Sequence, residues 1–228
     1  MNELSLFTGL GGGLLASELL GWRTVAAVEK SWYARCALVS RQNQGIVSAF
    51  PIWDDICTFD GRDFRGTADI VTGGFPCQAY SSAASGKNNA DDLWSEMRRI
   101  VADVAPRYVF AENTSAKAID AACDDLEAMG YKVKCAQISA QDMGADHIRK
   151  RFWLLAHAYG DSELSVQINA KMEGLSSFRC SVWESYANES GVAHGVAHRV
   201  DRLKAIGNGQ VPHCMALAWI TLCRGIEV

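Results

Sequence analysis

The stretch Leu4-Ser5-Leu6-Phe7-Thr8-Gly9-Leu10-Gly11-Gly12-Gly13-Leu14-Leu15 decides how this chain is read. Leu4 to Thr8 is an apolar run of strand length, and glycines interrupt it at once. Beyond them LLASELLGW has helical spacing and stops at Gly21, as helices commonly stop at glycine. The same alternation continues outward. Thr24 to Val28 reads as a strand ending at Glu29, and Tyr33 to Gln42 as a helix. Asp69 to Thr72 is a buried strand that runs into Gly73-Gly74-Phe75-Pro76-Cys77-Gln78. Leu93 to Val104 is helical, and Arg107 to Ala111 is a strand ending at Glu112-Asn113. A helix over Ala116 to Met129 stops at Gly130, and strands follow near Tyr131–Ile138 and Phe152–Ala156. This order predicts an α/β fold with a doubly wound, mostly parallel sheet and ligand-binding groups at the carboxyl ends of its strands.

The chain has 228 residues, 49% hydrophobic and 21% charged, which suits a folded globular protein and excludes a disordered one. Its formal net charge of -4 supplies no global positive field, so contact with nucleic acid requires a local basic cluster. No apolar run approaches the roughly 20 residues of a membrane span, and the start does not read as a signal peptide. Eight cysteines are scattered without a C-x-x-C pair, a pattern expected of reduced thiols in a cytoplasmic protein, with neither a metal site nor a disulfide framework. Residues 158–198 are polar, rich in Ser and Asn and without periodicity, and the apolar pattern returns in LKAIGNGQV and a helix over His213 to Arg224. The expected organisation is a main domain over 1–157, a small insert over 158–198, and a return to the main domain over 199–228.

Several groups have chemical potential. The glycines after Phe7 let backbone approach a ligand closely, and Glu29, at the end of the next strand, can accept from ribose hydroxyls. Leu14 stands where a dinucleotide fingerprint needs its third glycine, so a nucleoside without pyrophosphate fits better, S-adenosylmethionine foremost. By itself the loop serves equally well as a plain turn. Asp55-Ile56 says little alone. Cys77 follows a strand and a proline, where a lowered thiol pKa would make it a nucleophile; buried packing is the poorer account behind Gly-Gly-Phe-Pro. Glu112 emerges on the same sheet edge, able to protonate a ring nitrogen if burial raises its pKa, while Asn113 or Ser115 can cap the next helix. Arg149 and Arg151 alternate onto one side of an extended segment and can enter one cleft.

In this order the motifs resemble those of the cytosine-C5 DNA methyltransferases. Phe7-Thr8-Gly9-Leu10-Gly11-Gly12 is similar to that family's cofactor loop, Glu29 to its ribose-binding acid, and Asp55-Ile56 to its adenine-contacting pair. Gly73-Gly74-Phe75-Pro76-Cys77-Gln78 resembles the catalytic Pro-Cys motif, Glu112-Asn113 the Glu-Asn motif, and His147-Ile148-Arg149-Lys150-Arg151 the Gln-x-Arg-x-Arg motif. Ala205-Ile206-Gly207-Asn208 is similar to the last motif. Thr114, Ala79-Tyr80 and His147 depart from the usual residues, and the insert occupies the place of a target-recognition domain while being much shorter.

The resemblance implies the Rossmann-like fold of S-adenosylmethionine-dependent methyltransferases, with S-adenosylhomocysteine as product. It assigns catalysis to Cys77, Glu112, Arg149 and Arg151. Cofactor contacts fall to Phe7 through Gly12, Glu29, Lys30, Asp55, Ile56, Gly74, Pro76, Leu93, Asn208 and Gly209. DNA contacts fall to Gln78, Ser81, Ser82, Lys87, Asn113 and Arg149, with Arg98, Arg99, Arg199 and Arg202 as further phosphate contacts. It also implies a monomer that acts on double-stranded DNA, with a cognate restriction enzyme as a partner in the same system. An RNA cytosine-C5 methyltransferase would carry the same motifs. A non-catalytic DNA-binding relative would commonly lack the nucleophile or the acid.

Overall fold

The computed structural model describes residues 1–76, 93–158, 207 and 209–224. Among these, seven strands form one sheet: β1 (Asn2–Leu6), β2 (Arg23–Val28), β3 (Ile52–Trp53), β4 (Ile70–Gly74), β5 (Tyr108–Asn113), β6 (Tyr131–Ile138) and β7 (Arg151–Ala158). Their spatial order is β3-β2-β1-β4-β5-β7-β6. All pairings from β3 to β5 are parallel, and β7 alone runs against its neighbours β5 and β6. The chain winds outward from β1 to β3 and then resumes on the other side of β1 at β4. That reversal places the ends of β1 and β4 side by side at the point where open α/β sheets bind ligands.

The helices are α1 (Gly12–Leu20), α2 (Trp32–Asn43), α3 (Leu93–Val104), α4 (Ala116–Ala128) and α5 (Pro212–Cys223). Side-chain alternation along the strands sends Val71, Val109, Ala111 and Leu154 to one face, where Met97 and Ile100 of α3 and Ile119 and Leu126 of α4 cover them. Ile70, Tyr108, Phe110, Trp153 and Leu155 face the other way, onto α1 and α5. Each face therefore has its own core, and strands buried on both faces need no polar stripe.

The main expectations hold: the sheet is mostly parallel and doubly wound, and each predicted helix and strand is present within two residues of its expected start. Three short elements escaped the sequence reading. Two-residue β3 is too short for periodicity, and the 3-10 turns Gly61–Phe64 and Ala140–Met143 depend on caps from Asp60 and Ser139. The insert, apart from Ala158, lies outside the described residues.

The last helix restores the apolar pattern for a visible reason. Pro212 opens α5, and Trp219 inserts between Trp22, Tyr108 and Phe110, with ring centroids at 4.7, 5.8 and 5.4 Å and near-perpendicular planes. Residues distant in sequence thus close the second core. At the sheet centre Glu3 is fully buried and accepts hydrogen bonds from Thr24 Oγ1 at 2.9 Å and Thr72 Oγ1 at 2.6 Å, linking β2, β1 and β4. Burial pushes its pKa above the usual carboxylate value. Trp219→Ala is expected to cost about 3–5 kcal/mol in urea denaturation, because a large ring leaves a cavity that three aromatic neighbours cannot fill.

Candidate active site

The loop after β1 is built on left-handed backbone. Phe7, Gly9 and Gly11 have φ of 53°, 57° and 81°, and Phe7 is a side-chain-bearing residue held in a conformation that glycine occupies more readily. The loop is fastened from β2: Thr8 N donates to Val28 O at 3.2 Å, and Gly9 N donates to Glu29 Oε2 at 2.7 Å. The other oxygen of Glu29 accepts from Ser31 N at 2.7 Å. Two backbone donors thus orient a half-buried carboxylate at the end of β2 that keeps further acceptor capacity, suited to a ribose diol. A Cβ at Gly9 would meet nothing within 4 Å, so the loop is open on that side.

Neighbouring groups complete this side. Lys30 Nζ lies 3.5 Å from Asp55 Oδ2, and Asp55 Oδ1 accepts from Cys57 N at 3.0 Å, holding the Asp55 carboxyl below its usual value. Ile56 is buried, and its carbonyl accepts from Arg99 Nη2 at 2.8 Å. Arg99 also pairs with Glu96 and Asp103 on its own helix, and Arg98 pairs with Asp125 of α4 at 2.8 Å. These two arginines, expected at DNA phosphates, are committed to tying α3 to the Ile56 loop and to α4. Leu93, at the start of α3, packs against the first core.

Strand register assembles the second side. Glu112 pairs with Gly74 on β4 and with Trp153 on β7. Arg151, two residues before Trp153, therefore falls on the same face as Glu112. Arg151 Nε lies 2.7 Å from Glu112 Oε1. Burial, the dominant influence, raises the Glu112 pKa above the usual carboxylate range, and the Arg151 charge opposes it. Gly74 leaves room here: a Cβ would stand 2.8 Å from Glu112 Oε2 and 3.0 Å from Gln210 Nε2.

Arg149 reaches the same cavity, which is lined by Glu112, Arg149, Arg151, Trp153, Gln210 and Cys214 among others. Its Nη2 donates to Gly207 O at 2.7 Å and Gly209 O at 2.6 Å, so Arg149 carries the C-terminal return onto the site. Asn113 is buried; its amide donates to Phe75 O at 2.9 Å and its oxygen accepts from Ser115 N at 3.0 Å. That side chain braces the turn leading to exposed Pro76, and Ser115 caps α4 by accepting from Ala118 N. Cys77, Gln78, Ser81, Ser82, Lys87, Asn208, Arg199 and Arg202 lie outside the described residues.

Gln210 was missed by the sequence reading. A Cβ on Gly12 would fall on its backbone carbonyl, and a Cβ on Gly13 would stand 2.5 Å from its Oε1. Its Nε2 lies 3.5 Å from Glu112 Oε2, at the long edge of hydrogen-bonding distance. Gly12, expected to admit a ligand, admits this backbone instead. The cue in the sequence was a run of three glycines where one left-handed residue would make the turn.

Across residues 1–187 the chain matches the model of the C-5 cytosine-specific DNA methylase family. The chain belongs to that family. It is 30% identical over 179 residues to the type II methyltransferase M.CviJI of Paramecium bursaria Chlorella virus IL3A, covering 74% of this chain and 47% of that one. It is 27% identical to M.HhaI of Haemophilus parahaemolyticus, covering 68% and 48%. The chain thus spans about half the length of these curated relatives. Its fold is also that of the S. pombe Dnmt2 methyltransferase, with a TM-score of 0.57, 22% identity and coverage of 72% of this chain and 52% of the other. Among the described residues, no helix is long and apolar enough to cross a membrane.

The glycines of the candidate site should separate two kinds of crowding. Gly12→Ala should destabilise more than Gly74→Ala in urea denaturation, despite alanine's better helix propensity at position 12. The first change meets backbone; the second meets only the ends of two side chains, which can move.

Proposed function

We propose that this methylase transfers a methyl group from S-adenosylmethionine to C5 of cytosine in double-stranded DNA. The observation that carries the reading is the buried Glu112 carboxyl, paired with Arg151 and set beside Gly74, three residues before Cys77. The fixed Glu29 carboxylate and the open Gly9 loop fit the cofactor's ribose, with Lys30, Asp55 and Ile56 beside its adenine. When bound, the cofactor supplies an electrophilic methyl group.

The chain's own residues prepare the base. The Cys77 thiolate adds to C6, forming an S–C bond and pushing electron density to C5. Glu112, whose pKa burial raises, donates a proton at N3 of the ring, so that the negative charge does not accumulate there. Arg151 orients that carboxyl and donates to the base O2. After C5 is methylated, a water molecule takes the C5 proton, the electron pair it leaves expels Cys77 as a thiolate, and the N3 proton returns to Glu112. The target must leave the duplex stack to reach these groups, at a cost of a few kcal/mol. Asn113 braces the Phe75-Pro76 turn, and Arg149 holds the Gly207–Gly209 segment against the site. Gln78, Ser81, Ser82 and Lys87 are placed by sequence to meet DNA after the nucleophile, with the insert as the element that selects the target. The protein acts as a monomer, with a cognate restriction enzyme as its partner in the cell.

Labelled methyl incorporation into duplex DNA and into tRNA separates this reading from an RNA methyltransferase. DNA should be the labelled product, and bisulfite sequencing should place the label on cytosines. Labelling confined to tRNA would overturn the substrate. Cys77→Ser is expected to abolish transfer while S-adenosylmethionine still binds by calorimetry; normal turnover would rule out the covalent route.

The same carboxyl predicts a pH limb. The reactive form of Glu112 holds a proton, and its raised pKa keeps that form present above the usual carboxylate range. The rate kcat/KM should fall as pH rises through that raised value. Glu112→Gln should lower activity roughly 10²–10⁴-fold and flatten the limb, while stability changes little.

A further inference from the structure

Cys123 of α4 and Cys135 of β6 bring their sulfurs to 2.8 Å at the protein surface. We propose that this pair is a modification site: a dithiol that small-molecule disulfides, such as oxidised glutathione, convert reversibly to an intramolecular disulfide. The chain separation of 12 residues conceals the pair in the sequence. The fold creates it. Gly130, at φ 91°, turns the chain from α4 back along the sheet, and β6 returns beneath the helix. Cys135 pairs with Leu154, whose side chain belongs to the core under α4, so Cys135 faces the helix that carries Cys123.

The remaining described thiols are arranged differently. Cys214 and Cys223 are buried, whereas Cys36 and Cys57 are exposed on other elements. Cys135 is exposed on the edge strand of the sheet, and Cys123 is half-buried beside it. Either sulfur can donate its S–H to the other, and that contact lowers the Cys135 pKa while it raises that of Cys123; Asp120 and Glu127 of α4 oppose ionisation of both. Cys135 is exposed and Cys123 half-buried, so Cys135 is the sulfur a small disulfide reaches first and the attacking one.

The step balances without any further reactant. The Cys135 thiolate attacks one sulfur of oxidised glutathione and expels one glutathione thiolate. The Cys123 sulfur then attacks Cys135 Sγ of the mixed disulfide and expels the second. Two protein thiols are oxidised, one small disulfide is reduced to two thiols, and the two protons pass to the departing thiolates. With sulfurs already 2.8 Å apart, closing to the ~2.05 Å of an S–S bond needs only a small side-chain adjustment. The link would clasp α4 to an edge strand whose ladder has a single partner, β7. It lies on the sheet face opposite Glu112, since Leu154 and not Trp153 is its neighbour, and so it stands independently of the reaction proposed above.

The test is peptide mapping of the full chain after treatment with oxidised glutathione and alkylation of the remaining thiols. The expected product is a Cys123–Cys135 linked peptide lacking two hydrogens and lost on treatment with dithiothreitol, while exposed Cys36 takes a single glutathione and reports that the oxidant acted. In Cys123→Ser, Cys135 should instead retain one glutathione, because no second thiol displaces it. Alkylation of both Cys123 and Cys135 in a sample whose Cys36 is fully modified would overturn the proposal. A separate glutathione on each would overturn it equally.

Discussion

The candidate site depends on one arrangement, the Glu112 carboxyl held between a glycine and an arginine. Gly74 on β4 leaves the space that the carboxyl occupies, and Arg151 on β7 supplies the opposing charge at 2.7 Å. The two partners do different things for a buried acid. Without the guanidinium, any ionised fraction would be uncompensated in a dry setting, a situation that costs about 3–5 kcal/mol when one member of a buried pair is removed. With a side chain on β4, the carboxyl would be displaced from the strand that leads to Cys77. Burial and the neighbouring charge pull the acid in opposite directions, and burial prevails, which is the condition for a carboxyl that donates rather than accepts a proton.

Around that arrangement, the C-terminal return acts as a keystone through Gln210. One glutamine occupies space left free by Gly12 and Gly13 in the loop after β1 and by Gly74 at the end of the strand leading to Cys77. Arg149 holds the same segment by two carbonyl bonds, and Trp219 anchors the helix beyond it in the second core. Residues more than 190 positions apart therefore share one wall of the site. The glycines first read as making room for a ligand serve in part to make room for the protein itself.

Much of the candidate site was legible because its residues sit at strand ends, and strands announce themselves by apolar runs closed by polar or glycine residues. Glu29, Gly74 and Glu112 were found in this way, and the parallel order placed them on one edge. The pairing of Arg151 with Glu112 was less accessible, because it depends on β7 running antiparallel between β5 and β6. Asn113, Arg98 and Arg99 were read as facing DNA; polar and basic residue types do not reveal that a backbone carbonyl or a carboxylate of the same chain already occupies them. The Cys123–Cys135 contact left no trace in the cysteine spacing, since a helix and a returning strand bring together residues that no short motif contains.

The amino-acid sequence by itself determined the alternation of strands and helices, the glycine loop after β1, and the family to which the ordered motifs belong. Those features are local: each depends on periodicity, on backbone freedom or on residue type within a short window. Tertiary structure alone decided which partner each polar group took, which glycine kept open space and which met Gln210. It also decided that Gln210 would pack against the glycines after β1 and that Arg149 would hold the segment leading to it. The physical reason is that burial, and the hydrogen bonds and ion pairs that make burial tolerable, belong to pairs of residues from different elements. Only the register of the assembled sheet brings such pairs into contact.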